Sequence, residues 1–263
     1  TPITSKILLR YHPPAGAVYR YELDQASRFA PDTVTADSGA RNTMTLTFTQ
    51  AIGTPGADGV PVTITFDSAR VTSPMLNPAS ADDAARQLRG VRLTSVLDDR
   101  LQLVRNDFGA LRRLPSVVGD QVLLGFRAAA LPLPATPVGP GDSWTNQVEL
   151  PFGQMPGGAP LQAETKVTVR EITVTGSDTT VRLGVETRLP DRPLRFEMGG
   201  QRMTVALRGA ITGEQLFSLT RGAMVHASLG GTMRVNLTGG FFGAQGMAMR
   251  VDQQGRMQLV EGN

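Results

Sequence analysis

The side chains able to do chemistry are few and scattered. Gly141-Asp142-Ser143 sets a hydroxyl beside a carboxylate. That hydroxyl becomes a nucleophile only if a histidine base, itself held by an acid, reaches it and a strand-to-helix turn presents it. Ser143 instead opens a run with strand alternation, and His226 stands in another strand without an aspartate three residues earlier. Asp37-Ser38-Gly39-Ala40 is a turn of the kind on which two carboxylates share a proton, but it occurs once. The pairs Asp82/Asp83 and Asp98/Asp99 read as the first turn of a helix, where acids favour the dipole, and as a strand reversal between Leu97 and Leu101. His12 precedes two prolines in a turn, and His226 lies on the polar side of its strand with Met224 and Ser228, so both read as solvated side chains. With no cysteine, thiolates, disulfides, zinc fingers and iron–sulfur clusters drop out together. No Walker loop or dinucleotide glycine fingerprint occurs. The expectation is a chain that is not an enzyme, with no catalytic residue, metal ligand or cofactor.

The elements that would position such residues are strands. Met203, Val205, Leu207, Ile211, Phe217 and Leu219 fall on odd positions, with Arg202, Thr204, Arg208, Thr212 and Glu214 between them. Val225, Ala227, Leu229, Met233, Val235 and Leu237 repeat the pattern, so the two runs predict a long hairpin turning at Thr220-Arg221-Gly222. Similar alternation in Tyr19/Tyr21/Leu23, Met44/Leu46/Phe48, Val62/Ile64/Phe66, Val181/Leu183/Val185 and Met247/Met249/Val251 brings the count to about a dozen. The predicted class is mainly β: a large curved antiparallel sheet, half-barrel or sandwich, with one or two short helices. One helix follows Pro78, with Ser80 as N-cap, Asp83 completing a capping box and Gly90 past its end. The other runs from about residue 119 to 131 through Val122, Leu123 and Phe126, apolar enough to plug the concave side of a sheet. Pro132, Pro134, Pro137 and Pro140 then form a stiff crossover. The domain reading is a lobe over 1–131, a crossover over 132–142 and a β-meander lobe over 143–263, in one continuous fold.

Composition sets bounds on function. A chain of 263 residues that is 40% hydrophobic can fill a core, and its strand-spaced apolar residues exclude disorder and collagen. The formal charge is +3; Lys6 and Lys166 are the two lysines among 26 basic residues, which leaves 24 arginines. They are dispersed between acids, a pattern that does not predict nucleic-acid binding. The most apolar stretch, Val122 to Leu133, contains Arg127 and Pro132 and is too short to span a bilayer. A start at Thr1 is what a processed, exported protein would show, so the expected location is extracytoplasmic, in a periplasm, peripheral to a membrane.

Leu9-Arg10-Tyr11, Gly16-Ala17-Val18-Tyr19-Arg20-Tyr21 and the run Pro137 to Thr145 resemble segments of uncharacterised bacterial envelope proteins of β type. The layout of many antiparallel strands around one apolar helix also resembles the half-barrels that carry lipoproteins or lipids between bacterial membranes. That resemblance implies lipid or an acyl chain held between the sheet and the 120–131 helix. The residues themselves point to surface contact. Phe241 and Phe242 between glycines, Met247 and Met249 after them, and Phe152 and Met155 in a Pro/Gly loop put bulky apolar side chains where the backbone covers them poorly. These six residues are the predicted contact with a membrane or partner. The expected partners are subunits of a larger membrane or envelope complex, respiratory or photosynthetic among others, which the chain holds or caps.

Overall fold

The computed structural model describes residues 2–33, 39–74, 76–114, 118–119, 122–123, 126, 131–150, 161–190, 193–198, 201–240, 243 and 245–262. Its strands are β1 (Val18–Pro31), β2 (Ala40–Ile52), β3 (Val60–Thr72), β4 (Arg92–Leu97), β5 (Leu103–Asp107) and β6 (Ser143–Leu150). The second half adds β7 (Leu161–Thr175), β8 (Asp178–Arg188), β9 (Leu194–Met198), β10 (Gln201–Ser218), β11 (Ala223–Gly239) and β12 (Met247–Gly262). They form one 12-stranded sheet in the order β5-β4-β3-β2-β1-β12-β11-β10-β8-β7-β6, with β9 added on β10. Every pairing is antiparallel. β1 and β12 pair at the centre, so strands from both halves of the chain share the sheet, which stays open at β5 and β6.

Period-two alternation fixes which face is buried. In β2, Met44, Leu46 and Phe48 are buried to 1% or less, while Thr45, Thr47 and Thr49 point outward and bond Asp24, Ser68 and Asp67. The β10/β11 hairpin is longer than the sequence pattern marks, because strand pairing continues through residues with no apolar signal. A bulge between Leu216 and Phe217 adds Val225 to β11. Met224 therefore faces Phe217 and packs on the core rather than lying with His226 on the polar side.

Two crossing segments make the sheet curl. The Ile3 amide bonds the Ile172 carbonyl on β7, and the Tyr11 amide bonds the Asp99 carbonyl beyond β4. The second segment runs from Leu133, bonded to Arg100, to Gly141, bonded to Val169, and the two pair where Ile7 meets Val138. β4 and β7 are eight strand spacings apart, about 38 Å in a flat sheet. Eight residues stretched to their limit reach about 28 Å. The sheet must wrap, and one core joins Leu93 of β4 to Ile172 of β7.

Helix α1 (Pro78–Leu88) is capped by Asn77, whose Oδ1 accepts from the Ser80 amide. This corrects the expected Ser80 cap: with Pro at the first helical position, the cap moves to the residue before it. Asp82 and Asp83 consequently lie beyond the first turn, where Asp83 accepts from Gln87 and Arg86. Gly90 follows the helix at φ +77°, as its place past the end requires. Of the second helix, Val118, Gly119, Val122, Leu123 and Phe126 are helical, and Val118 and Val122 are buried in the core.

Candidate functional site

The two ends of the curled sheet are built differently. At the strapped end, where the 3–11 and 133–141 segments cross, the interior is filled. Tyr21 stacks on Phe48 with centroids 5.2 Å apart, and Phe126 meets Phe48 at 5.0 Å and Phe66 at 5.9 Å, edge to face. Leu9 and Tyr11 seal the cluster. Burial pushes the Tyr11 and Tyr21 hydroxyls well above the ordinary tyrosine range, so neither ionises at physiological pH.

At the opposite, open end, the core is a second cluster of Ala163, Leu189, Val205, Leu207, Met233 and Val251, with Phe29, Val148, Leu194, Ile211, Val235 and Leu237 half-buried around it. All of these except Leu189 lie on strands. Neither strap nor α1 contributes to it.

A largely polar belt runs between the clusters on the same inner face, bridged by Val148, which packs on both, and interrupted by Ile211. At matched register lie Asn42 (β2), Ser27 (β1), Gln253 (β12), Gly231 (β11), Ile211 (β10), Thr187 (β8), Thr165 (β7) and Asn146 (β6). Thr165 and Thr187 share a buried hydroxyl bond of 2.8 Å, and Asn146 Nδ2 donates to the Pro132 carbonyl beside Trp144 Nε1. Asn42 is 1% exposed, and neither its Oδ1 nor its Nδ2 has a hydrogen-bond partner among the described residues. Sequence reading missed this belt, although its signal is present. Ser27, Asn42, Thr165 and Thr187 carry the same parity as Leu23, Met44, Val167 and Val185, so polar residues occupy inward positions.

Topology brings the strand ends that flank the expected contact segments to the open end. β6 and β7 pair out to Leu150 and Leu161, and β11 and β12 out to Leu237 and Met247, on that side of the belt. Met247 is 37% exposed and Met249 half-buried. Phe152, Met155, Phe241 and Phe242 lie outside the described residues.

The other candidates are not brought together. Ser143 starts edge strand β6, four strands from β11 and His226. Asp142 is held by Lys6 Nζ at 2.9 Å and the Gly139 amide, bonds that keep its carboxyl below the usual range. Asp98 accepts from the Arg100 and Gln102 amides in a reversal completed by Leu101 at φ +60°. Asp37 and Ser38 lie outside the described residues. Among the described residues no three His, Cys, Asp or Glu side chains group as metal ligands, and no helix is long and apolar enough to cross a membrane. A hollow of about 590 Å³ lies on the outer face between Val18, Arg20, Thr49, Asp67, Glu261 and Gly262, with three charged side chains in its lining.

No family model and no curated protein matches the chain. Nine solved chains match it in fold. One, titled for lipid–protein interactions in lipovitellin, aligns over 96% of this chain with a TM-score of 0.51 and 12% identity. The chain spans 26% of that chain's length, and at this identity the likeness concerns the fold alone.

Proposed function

We propose that the chain acts by contact, as a membrane-extrinsic structural subunit that binds and stabilises a larger membrane or envelope assembly outside the cytoplasm. The observation that carries this reading is the filled strapped end. Tyr21, Phe48, Phe66 and Leu9 are each 2% exposed or less, so the curled sheet is a solid body there rather than a vessel. The hairpin ends leading into the apolar segments lie together at the other end, as a surface meant for a neighbour requires. Arginines on the outer face supply forked donors for carboxylates and phosphates. Native mass spectrometry after gentle extraction from the source organism tests it. A stable particle with other subunits is the expected result, and a monomer carrying bound lipid overturns it.

The second reading is a carrier of lipid or a lipoprotein acyl chain. It draws on the open-end cluster made almost wholly of strand residues, on the unpartnered Asn42 amide, and on a fold neighbour whose title names lipid–protein interactions. A third reading, a hydrolase, predicts turnover that disappears in Ser143→Ala.

A further inference from the structure

The two edges of the sheet are finished differently. β5 has five residues, a bulge where Val96 and Leu97 pair with it, and the charges of Arg105 and Asp107. Shortness, bulges and charge are what keep an edge strand from pairing with another chain. β6 has eight residues and pairs with β7 in unbroken register, and from Ser143 to Val148 it holds neither proline nor a charged residue. Among the described residues nothing makes a backbone hydrogen bond to its far side. On β7 the inward residues Ala163, Thr165 and Val167 are 1% exposed or less, whereas Trp144, Asn146 and Val148 on β6 are half-buried. A long, flat, uncharged edge of this kind is a template for one more strand.

The curl brings β5 round to face this edge. Arg100, in the turn before β5, exchanges two bonds with Leu133: the Leu133 amide donates to the Arg100 carbonyl at 2.7 Å, and Arg100 Nε donates to the Leu133 carbonyl at 3.0 Å. The Pro132 carbonyl accepts from Trp144 Nε1 and Asn146 Nδ2 on β6, each at 2.9 Å. These bonds hold the Asn146 Cα within about 12 Å of the Arg100 carbonyl. One strand laid between two others takes up about 10 Å, and two strands about 14 Å. The seam is therefore one strand wide there, and residues 132 and 133 of the chain itself fill that width. From this bridge β5 and β6 both lead toward the open end, and among the described residues neither has a partner on the seam side. Leu103 and Val104 on β5 are 47% and 55% exposed, apolar surface that an inserted strand covers.

We propose that the seam between β6 and β5 takes an extended segment of a neighbouring subunit, which joins the sheet as a strand on β6. The segment that fits alternates apolar residues, turned inward against Trp144 and Val148, with small polar ones beside Thr145 and Gln147. The inference rests on the subunit reading and names how the neighbour is held. The width of the seam favours a single strand over a second copy of this chain, whose whole sheet would have to enter.

Trp144 is the chain's single tryptophan and reports from the seam. The test titrates the full chain with a synthetic peptide of alternating valine and threonine flanked by lysines. The control peptide has proline in place of every second residue, so it lacks the donors for pairing. The alternating peptide is expected to shift Trp144 emission to the blue and to slow amide exchange from Ser143 to Val148, and the proline peptide to do neither. Leu103→Lys/Val104→Lys should weaken binding about 10-fold through lost apolar contact. Its urea midpoint should match wild type, because both side chains are largely exposed. Equal binding of the two peptides, or unchanged exchange along β6, overturns the proposal. A dimer of the chain that the alternating peptide dissociates assigns the edge to a second copy and also overturns it. The particle that native mass spectrometry looks for should lose a subunit when the chain carries Leu103→Lys/Val104→Lys. If it stays intact, the seam proposal fails and the subunit reading stands. If the alternating peptide binds and wild type forms no particle, the seam accepts a strand and the subunit reading fails.

Discussion

The strapped and open ends share strands, yet they are stabilised by different means. At the strapped end, Arg10 donates to the Leu9, Pro134 and Ala135 carbonyls and pairs with Asp99 at 3.0 Å, tying one crossing segment to the other. Arg100 Nε bonds Leu133, and Tyr19 reaches the Arg221 carbonyl. At the open end the core is held by strand pairing and side-chain packing. The difference teaches that one sheet can be held in two ways along its length, by straps and filled packing at one end and by strand pairing at the other.

The sharpest way to break this comparison is a pair of truncations at equal burial. Phe48 and Met233 are each 1% exposed. Phe48→Ala removes a ring that touches three others and should cost about 4 kcal/mol, because strapped neighbours cannot collapse into the space. Met233→Ala should cost about 2 kcal/mol, since a cluster with no strap over it relaxes more easily. Urea titrations of both variants measure this, and equal costs would remove the distinction between the ends.

A change in the strap itself comes next. Arg10→Ala leaves three carbonyls without their guanidinium donor and should cost about 2 kcal/mol. Amide exchange at Tyr11, Leu133 and Val138 should quicken, while Val235 and Val251 at the open end keep their protection. Uniform quickening would mean that the two ends open as one unit.

Much of this architecture is legible in the residues. Strand alternation gives the sheet, its antiparallel sense and its wet face, because each strand buries one side only. The turn at Asp98-Asp99 and the glycine after α1 follow from local chemistry. What is not legible depends on partners distant in sequence. The β1/β12 pairing joins residues more than two hundred positions apart, and nothing local marks it. The straps bond through backbone amides, which leave no trace in side-chain identity. The helix cap is misread because Ser80 and Asp83 imitate a capping box, while Pro78 sets the true start one residue after Asn77. Of the residues expected at a contact, Met247 is exposed and Met249 half-buried. The belt requires knowing that Asn42 and Ser27 are neighbours.

The belt offers a smaller effect. Asn42→Leu replaces a buried amide without a partner among the described residues by an apolar group of similar size, and should stabilise the chain by about 1 kcal/mol. A loss of stability in thermal unfolding would mean that the amide is satisfied in solution by a group that enters the belt, and would move weight to the carrier reading.

The smallest expected effect separates the ends by pH. Both histidines lie at the strapped end, and His226 has its pKa lowered, first by burial and then by Arg256 and Arg182. The unfolded chain takes up that proton near 6.5, before the folded one does. Stability is therefore fully present above that value and declines as pH falls from 6.5 through the folded pKa. Asp252 at the open end, lowered chiefly by its bond from Thr232, and Asp142 at the strapped end, lowered chiefly by Lys6, both contribute above the ordinary carboxylate value of 3.8 and lose that contribution only below it. Between pH 5 and 6.5, then, the weakening should come from the strapped end alone. His226→Gln should flatten the stability profile in that window and leave the acid limb unchanged. A profile unchanged in that window would show that the His226 proton does not carry the weakening there.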